Sequence, residues 1–254
     1  MSASIFTTAY GAQIAYHHLM GQGTGVMFLG GFMSDMTGSK ATSLEEHCRK
    51  AGKQFLRFDY QGHGASSGAF KDGTIGQWAQ DALTMFDEFM TGPTILVGSS
   101  MGGWIASLLA RQRPEKIAGF IGIAAAPDFT ERMWAHDLSD DHRTQIMRDG
   151  YVEIHSEYGP DPYVFTKALF DDGRTNSIFA QPLKIEAPVR LLQGLEDPDV
   201  PYDTALKLAN HMQESGSQDV EAIMIPAGDH RLSTEADLNR LCRTVSEIWN
   251  ITEK

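Results

Sequence analysis

Residues Gly98-Ser99-Ser100-Met101-Gly102 constrain this 254-residue chain more than any other stretch. They follow an apolar run, Thr94 to Val97, and lead into a helix-forming run, Trp104 to Ala110. A G-x-S-x-G sequence between a strand and a helix marks a turn so sharp that its central residue takes a strained backbone conformation. The positions two before and two after must be small, because a Cβ there would strike neighbouring backbone. Such a turn presents Ser100 Oγ at the top of a sheet, beside a helix N-terminus that favours developing negative charge. The competing reading is a glycine-rich turn with an incidental serine. Its partners decide between the two.

A serine hydroxyl needs a base to take its proton and an acid to orient that base. On this template the chain order is Ser, then Asp or Glu, then His. Val189 to Leu192 reads as a short strand, and the loop after it carries Glu196-Asp197-Pro198-Asp199. Asp197 is the preferred acid, in a loop stiffened by Pro198 and Pro201. Glu196 and Asp199 are weaker candidates in the same loop. Asp128, after the run Lys116 to Ala126, occupies the other place an acid could stand. Glu221 to Pro226 reads as a further strand, followed by Ala227-Gly228-Asp229-His230. His230 is the base candidate. An oxyanion needs two N–H donors aimed where charge develops. The Met101 N–H supplies one, and the Phe32 N–H, in the loop Gly30-Gly31-Phe32 after strand Val26 to Leu29, supplies the other.

On these residues the chain resembles an α/β-hydrolase over almost its whole length. It is most similar to the α/β-hydrolase domain protein ten-like subgroup of palmitoyl thioesterases and acyl-glucuronide esterases. The resemblance rests on Gly30 to Ala41, Arg57-Phe58-Asp59-Tyr60, Gly98 to Trp104 and Gly228-Asp229-His230-Arg231. Gly30 stands where many relatives carry the histidine of a His-Gly pair, which departs from the superfamily and suits the subgroup. The resemblance implies an α/β fold: a mostly parallel sheet with helices on both faces and a helical lid insert. It also implies a serine hydrolase that cleaves an activated acyl bond, thioester or carboxylic ester, through an acyl-enzyme. It leaves the acyl group open.

Composition sets further limits. A chain of 254 residues can bury a substantial core as one domain. A formal net charge of −12 argues against nucleic acid or an anionic membrane surface as the main partner. No apolar run approaches the roughly 18 residues of a membrane span. The first Lys or Arg is Lys40, so neither a basic n-region nor an Arg-rich presequence is written here. That predicts a cytoplasmic protein, or else a chain already processed, although the resembled animal thioesterase is mitochondrial. Cys48 and Cys242 make no metal-ligand spacing or disulfide framework, and Cys48 reads as a small buried hydrophobe. The chemistry needs no metal or organic cofactor. The expected partner is a small-molecule acyl substrate, and oligomeric state is not readable.

Ser4 to Thr8 and Gln13 to His17 predict a hairpin, and Gln54 to Tyr60 a strand. Ala41 to Ala51, Ile75 to Met90, Tyr202 to Glu214 and Glu235 to Trp249 predict helices. Short apolar runs alternating with helices indicate a parallel sheet covered on both faces. In Gln61 to Gly68, His63 reads as a loop anchor. From Asp128 to Glu186 the rhythm breaks into an insert rich in aromatic and acidic residues. Arg132 to Trp134 and Asp140 to Ser156 are expected to be helical within it. We read the insert as a lid over the elbow, against the simpler reading of a cover for a sheet edge. Trp134, Tyr151, Tyr158 and Phe165 of the insert, with Phe32 and Trp104, are the expected pocket walls. Arg231 is a further candidate, for a carboxylate on the leaving group. Two other functions stay open: a general small-ester carboxylesterase, and a catalytically silent binding module on the same fold.

Overall fold

Thr94 to Ser99 is buried along its whole length, and a strand buried on both faces needs cover on both. The computed structural model, which describes residues 3–155 and 162–253, shows how that cover is built. The strands are β1 (Ser4–Thr7), β2 (Gln13–Leu19), β3 (Gly25–Leu29), β4 (Phe55–Phe58), β5 (Thr94–Ser99), β6 (Ile117–Ile123), β7 (Tyr151–Ile154), β8 (Tyr163–Thr166), β9 (Val189–Gly194) and β10 (Val220–Ile225). Eight of them form one sheet in the order β1-β2-β4-β3-β5-β6-β9-β10. Strands β1 and β2 run antiparallel to their neighbours, and from β4 to β10 every pairing is parallel.

The helices are α1 (Ser39–Ala51), α2 (Ile75–Phe89), α3 (Met101–Gln112), α4 (Phe129–Arg132), α5 (Asp140–Asp149), α6 (Lys167–Thr175), α7 (Asp203–Glu214) and α8 (Glu235–Thr252). Alternate side chains of the central strands divide between two cores, as a period of two requires. Val26, Phe28, Ile95 and Val97 meet Leu44 and Cys48 of α1 and Val245 and Ile248 of α8. Met27, Leu29, Leu96 and Phe120 belong to the other core, with Phe86 of α2, Leu108 of α3 and Leu208 of α7. Each such side chain, fully buried, contributes about 1.5–3 kcal/mol. Cys48 is part of this packing, and burial pushes its thiol pKa up to about 12, as befits an inert core residue.

The insert departs from expectation in two places. Helix α5 stops at Asp149 instead of running to Ser156, because Gly150 takes a left-handed cap with φ 86°. Tyr151 to Ile154 then pairs antiparallel with β8, making a separate two-stranded sheet. Helix α6 was not anticipated. Thr166 caps it, accepting from the Leu169 N–H. The expected helix at Arg132 to Trp134 is α4 continued by a π-helical turn, Met133–Asp137. The expected break at Glu157 to Pro162 lies almost wholly outside the described residues.

Candidate active site

Ser100 joins β5 to α3 with φ 54° and ψ −121°, a conformation that costs a non-glycine residue roughly 1–3 kcal/mol. The surroundings hold it there. Its N–H donates to the Ile123 carbonyl at 2.9 Å, and its carbonyl accepts from Gly103 and Ala126. A Cβ at Gly98 would lie 2.4 Å from the Gly102 oxygen, and one at Gly102 would lie 2.1 Å from the Leu29 oxygen. The turn therefore closes only with glycine at both positions.

His230 Nε2 lies 3.2 Å from Ser100 Oγ, and its Nδ1 lies 2.9 Å from Asp197 Oδ2. The Asp197 side chain has no exposed surface. Its Oδ1 accepts the Asp199 and Val200 N–H groups, each at 2.9 Å, and Oδ2 also accepts from Gln193 Nε2 at 3.0 Å. Burial acts to raise its pKa. The hydrogen bond and charge of His230, with the two backbone donors, outweigh that and leave it below the ordinary carboxylate value. Asp197 is thus built to stay ionised and to accept from His230 Nδ1. Glu196 and Asp199 contribute backbone to the loop. Asp128 is not brought to His230: its carboxylate accepts from Ser177 Oγ and from the N–H groups of Ile178 and Phe179, tying down the far end of the insert.

The acid and base loops meet through two glycines to which the sequence reading gave no role of their own. A Cβ at Gly194 would lie 2.1 Å from the Gly228 oxygen, and the Glu196 N–H donates to that same oxygen. This contact brings two loops more than 30 residues apart in sequence into register.

Met101 follows Ser100 in the chain, and Phe32 follows Gly31, which packs against Ser100. Gly31 packs close enough that an added Cβ would be 3.4 Å from Ser100 Cβ. Among the described residues, neither the Phe32 nor the Met101 N–H has a protein acceptor. The loop carrying Phe32 is pinned by the Arg57-Phe58-Asp59 stretch. Asp59 Oδ1 accepts the Met36 N–H at 2.6 Å, while Arg57, paired with Glu45, donates to the Met36 carbonyl. Asp59 is a positioning residue that sequence reasoning quoted without giving it a role. Its Oδ2 also accepts from Ala65, so one buried carboxylate braces two loops.

The expected pocket walls separate. Phe165 stacks on Phe32, rings parallel within 2° and 5.2 Å apart. Tyr163, two residues earlier on the same strand face, packs edge-on against Phe32, as do Phe129, Phe70 and Trp78. Trp104 is corrected: it is fully buried, donates Nε1 to the Asn176 carbonyl and is a core residue. Trp134 turns to Phe170 and to the Arg174 guanidinium. Tyr151 is 43% exposed on β7. Tyr158 lies outside the described residues. His63 is a buried loop anchor: Nδ1 meets the Gln61 carbonyl, and burial lowers its pKa to about 4, keeping it neutral.

A cleft of about 1030 Å³ opens beside the acid loop, between Ala126–Phe129, Asp199–Pro201 and α7. Among the described residues, the group that could hold a metal ion is Asp197, Asp199 and His230, two of which are already bonded to each other. No helix of the described residues is long and apolar enough to cross a membrane.

A family model described as serine aminopeptidase, S33, matches residues 26–155. Mouse palmitoyl-protein thioesterase ABHD10, mitochondrial, is 36% identical over 240 residues, covering 92% of this chain and 78% of that protein. A solved structure of a chain from Agrobacterium vitis S4 superposes with a TM-score of 0.92 at 40% identity, covering 97% of this chain and 98% of that one. The structure of mouse α/β hydrolase domain-containing protein 10 gives 0.89 at 34% identity, covering 98% and 99%. The mitochondrial label on the mouse relative overturns the cytoplasmic expectation, which is withdrawn.

Proposed function

Because the chain belongs to the α/β-hydrolase family described as serine aminopeptidase S33, we propose that it cleaves acyl thioesters or carboxylic esters through a Ser100-His230-Asp197 triad and an acyl-enzyme. The observation that carries this reading is the continuous series from Ser100 Oγ through His230 to the enclosed Asp197 carboxylate. The two N–H groups beside Ser100 that lack acceptors add to it. The thioester class is supported by the mouse relative, a palmitoyl-protein thioesterase by name.

In this mechanism His230 Nε2 takes the Ser100 proton as Oγ attacks the acyl carbonyl. The Phe32 and Met101 N–H groups receive the oxyanion, helped by the N-terminal end of α3. His230 then gives the proton to the departing thiolate or alkoxide. A water, deprotonated by the same imidazole, attacks the acyl-enzyme and frees Ser100. Asp197 remains a carboxylate throughout, fixing the imidazole with Nδ1–H toward itself and stabilising the imidazolium that forms.

The insert from Asp128 to Glu186 is read as the lid of this site. Its Phe129, Tyr163 and Phe165 gather on Phe32, directly next to the proposed oxyanion donor. An apolar acyl chain seated against such rings gains about 0.8 kcal/mol per buried methylene, about fourfold in kcat/KM. Across a series of acyl thioesters and aryl esters of increasing length, kcat/KM should climb at about that rate and fall once the site is filled. Phe165→Ala should move the optimum to longer chains. A flat profile in the wild type, or an unchanged optimum in Phe165→Ala, would return the insert to a structural cover and favour the general carboxylesterase.

A further inference from the structure

The turn that carries His230 is braced from a direction the triad does not account for. Lys40, in the first turn of α1, donates its ammonium to the Arg231 carbonyl, one residue beyond His230, and reaches Ser233 Oγ at 3.4 Å. Ser233 Oγ itself donates to the Arg231 carbonyl at 2.8 Å. The turn is tight. Leu232 is held at φ 42°, left-handed for a branched residue, while its N–H donates to Asp229 Oδ1. Leu232 is buried in the same core cluster as Ala41 and Leu44 of α1, so α1 and the His230 turn share one core. Lys40 also follows directly on the loop that begins at Gly30 and carries Phe32. It therefore spans the two segments that supply the proposed oxyanion donor and base.

Stability alone does not explain a lysine at this place. Burial lowers its pKa from the ordinary value to about 8, and Arg231 adds to the effect against the opposing charges of Asp229 and Asp237 on α8. A base whose folded pKa is depressed binds its proton less readily in the fold than in the unfolded chain. Below about pH 8 the ammonium therefore costs stability, and stability rises as pH climbs from there toward the ordinary lysine value. An apolar side chain of the same length would serve better as a brace. The ammonium does something an apolar side chain cannot: it makes a charge-assisted bond to one carbonyl.

We propose that Lys40 is a positioning residue for the proposed base: its bond to the Arg231 carbonyl keeps the His230 turn in the register that holds Nε2 on Ser100. This inference rests on the triad reading above. Its role is in turnover and not in substrate affinity, because what it holds is the backbone of the turn.

The test compares the full-length wild type with Lys40→Met on a p-nitrophenyl ester, following kcat, KM and Tm. Lys40→Met should lose about tenfold in kcat, with KM within about twofold. Its Tm should equal or exceed that of the wild type at pH 7. In the wild type, kcat should decline as pH rises through about 8, where the ammonium gives up its charge, and Lys40→Met should lack that limb. Full retention of kcat in Lys40→Met overturns the inference alone. So does a kcat loss matched by a lower Tm, which would mark a purely structural brace. Absence of Ser100-dependent turnover in the wild type brings down the proposed function and this inference together.

Discussion

Ser100→Ala is expected to lower ester turnover by about 10³-fold or more while leaving Tm at or above the wild-type value. The loss is large because nucleophile and base act as one unit: without Oγ, His230 has no proton to take and the acyl-enzyme cannot form. The fold should survive, since the bonds that hold the elbow run through the Ser100 backbone, to Ile123, Gly103 and Ala126. Turnover near wild type in purified Ser100→Ala would remove the nucleophile from the account.

Asp197→Asn is expected to cost about 10²–10⁴-fold in kcat. The amide keeps the shape of the side chain but offers His230 Nδ1 a donor group or a neutral acceptor, so the imidazole loses both its fixed tautomer and its counter-charge. Asp128→Asn should behave in the opposite way. It keeps turnover per folded molecule close to wild type and lowers Tm, because three donors converge on the Asp128 carboxylate at the end of the insert. Measuring kcat and Tm for both variants separates the two acids. A reversed order would move the acid to the end of β6.

The central part of this molecule was legible because its constraints are local. An apolar run as short as Thr94 to Val97, closed by the turn glycine Gly98, suits a strand covered on both faces. The elbow glycines report a steric collision that the structure shows at Gly98 and Gly102. The order Ser100, Asp197, His230 placed three loops whose convergence depends on strand order, and the structure puts these residues within hydrogen-bonding distance.

What was missed depends on partners distant in sequence. Gly150, a helix-stopping glycine, and the strand-forming residues Tyr151, Val152 and Ile154 were read through as helix, because a strand this short is stable only against its partner β8. Without that small sheet, Tyr163 could not be placed beside Phe165 on the face toward Phe32, and exposed Tyr151 looked equivalent to it. Trp104 drew attention for its place after the elbow. Helix α3 is buried along nearly its whole length, so an aromatic there is core. Gly194 and Gly228 had no role of their own in the sequence, because each is explained only by the other. The cytoplasmic expectation failed for a different reason: cellular address is not a property of a packed core or an active site.

The central claim, that Ser100 is a nucleophile activated by His230 and Asp197, is tested most directly by covalent labelling. The wild type would be incubated with a fluorophosphonate and its intact mass measured, with the adduct then mapped by peptide sequencing. The account predicts one adduct per chain, on Ser100, absent in Ser100→Ala and formed far more slowly in His230→Ala and Asp197→Asn. An unlabelled wild type, the mark of a silent binding module, would contradict it, as would an adduct that persists in Ser100→Ala.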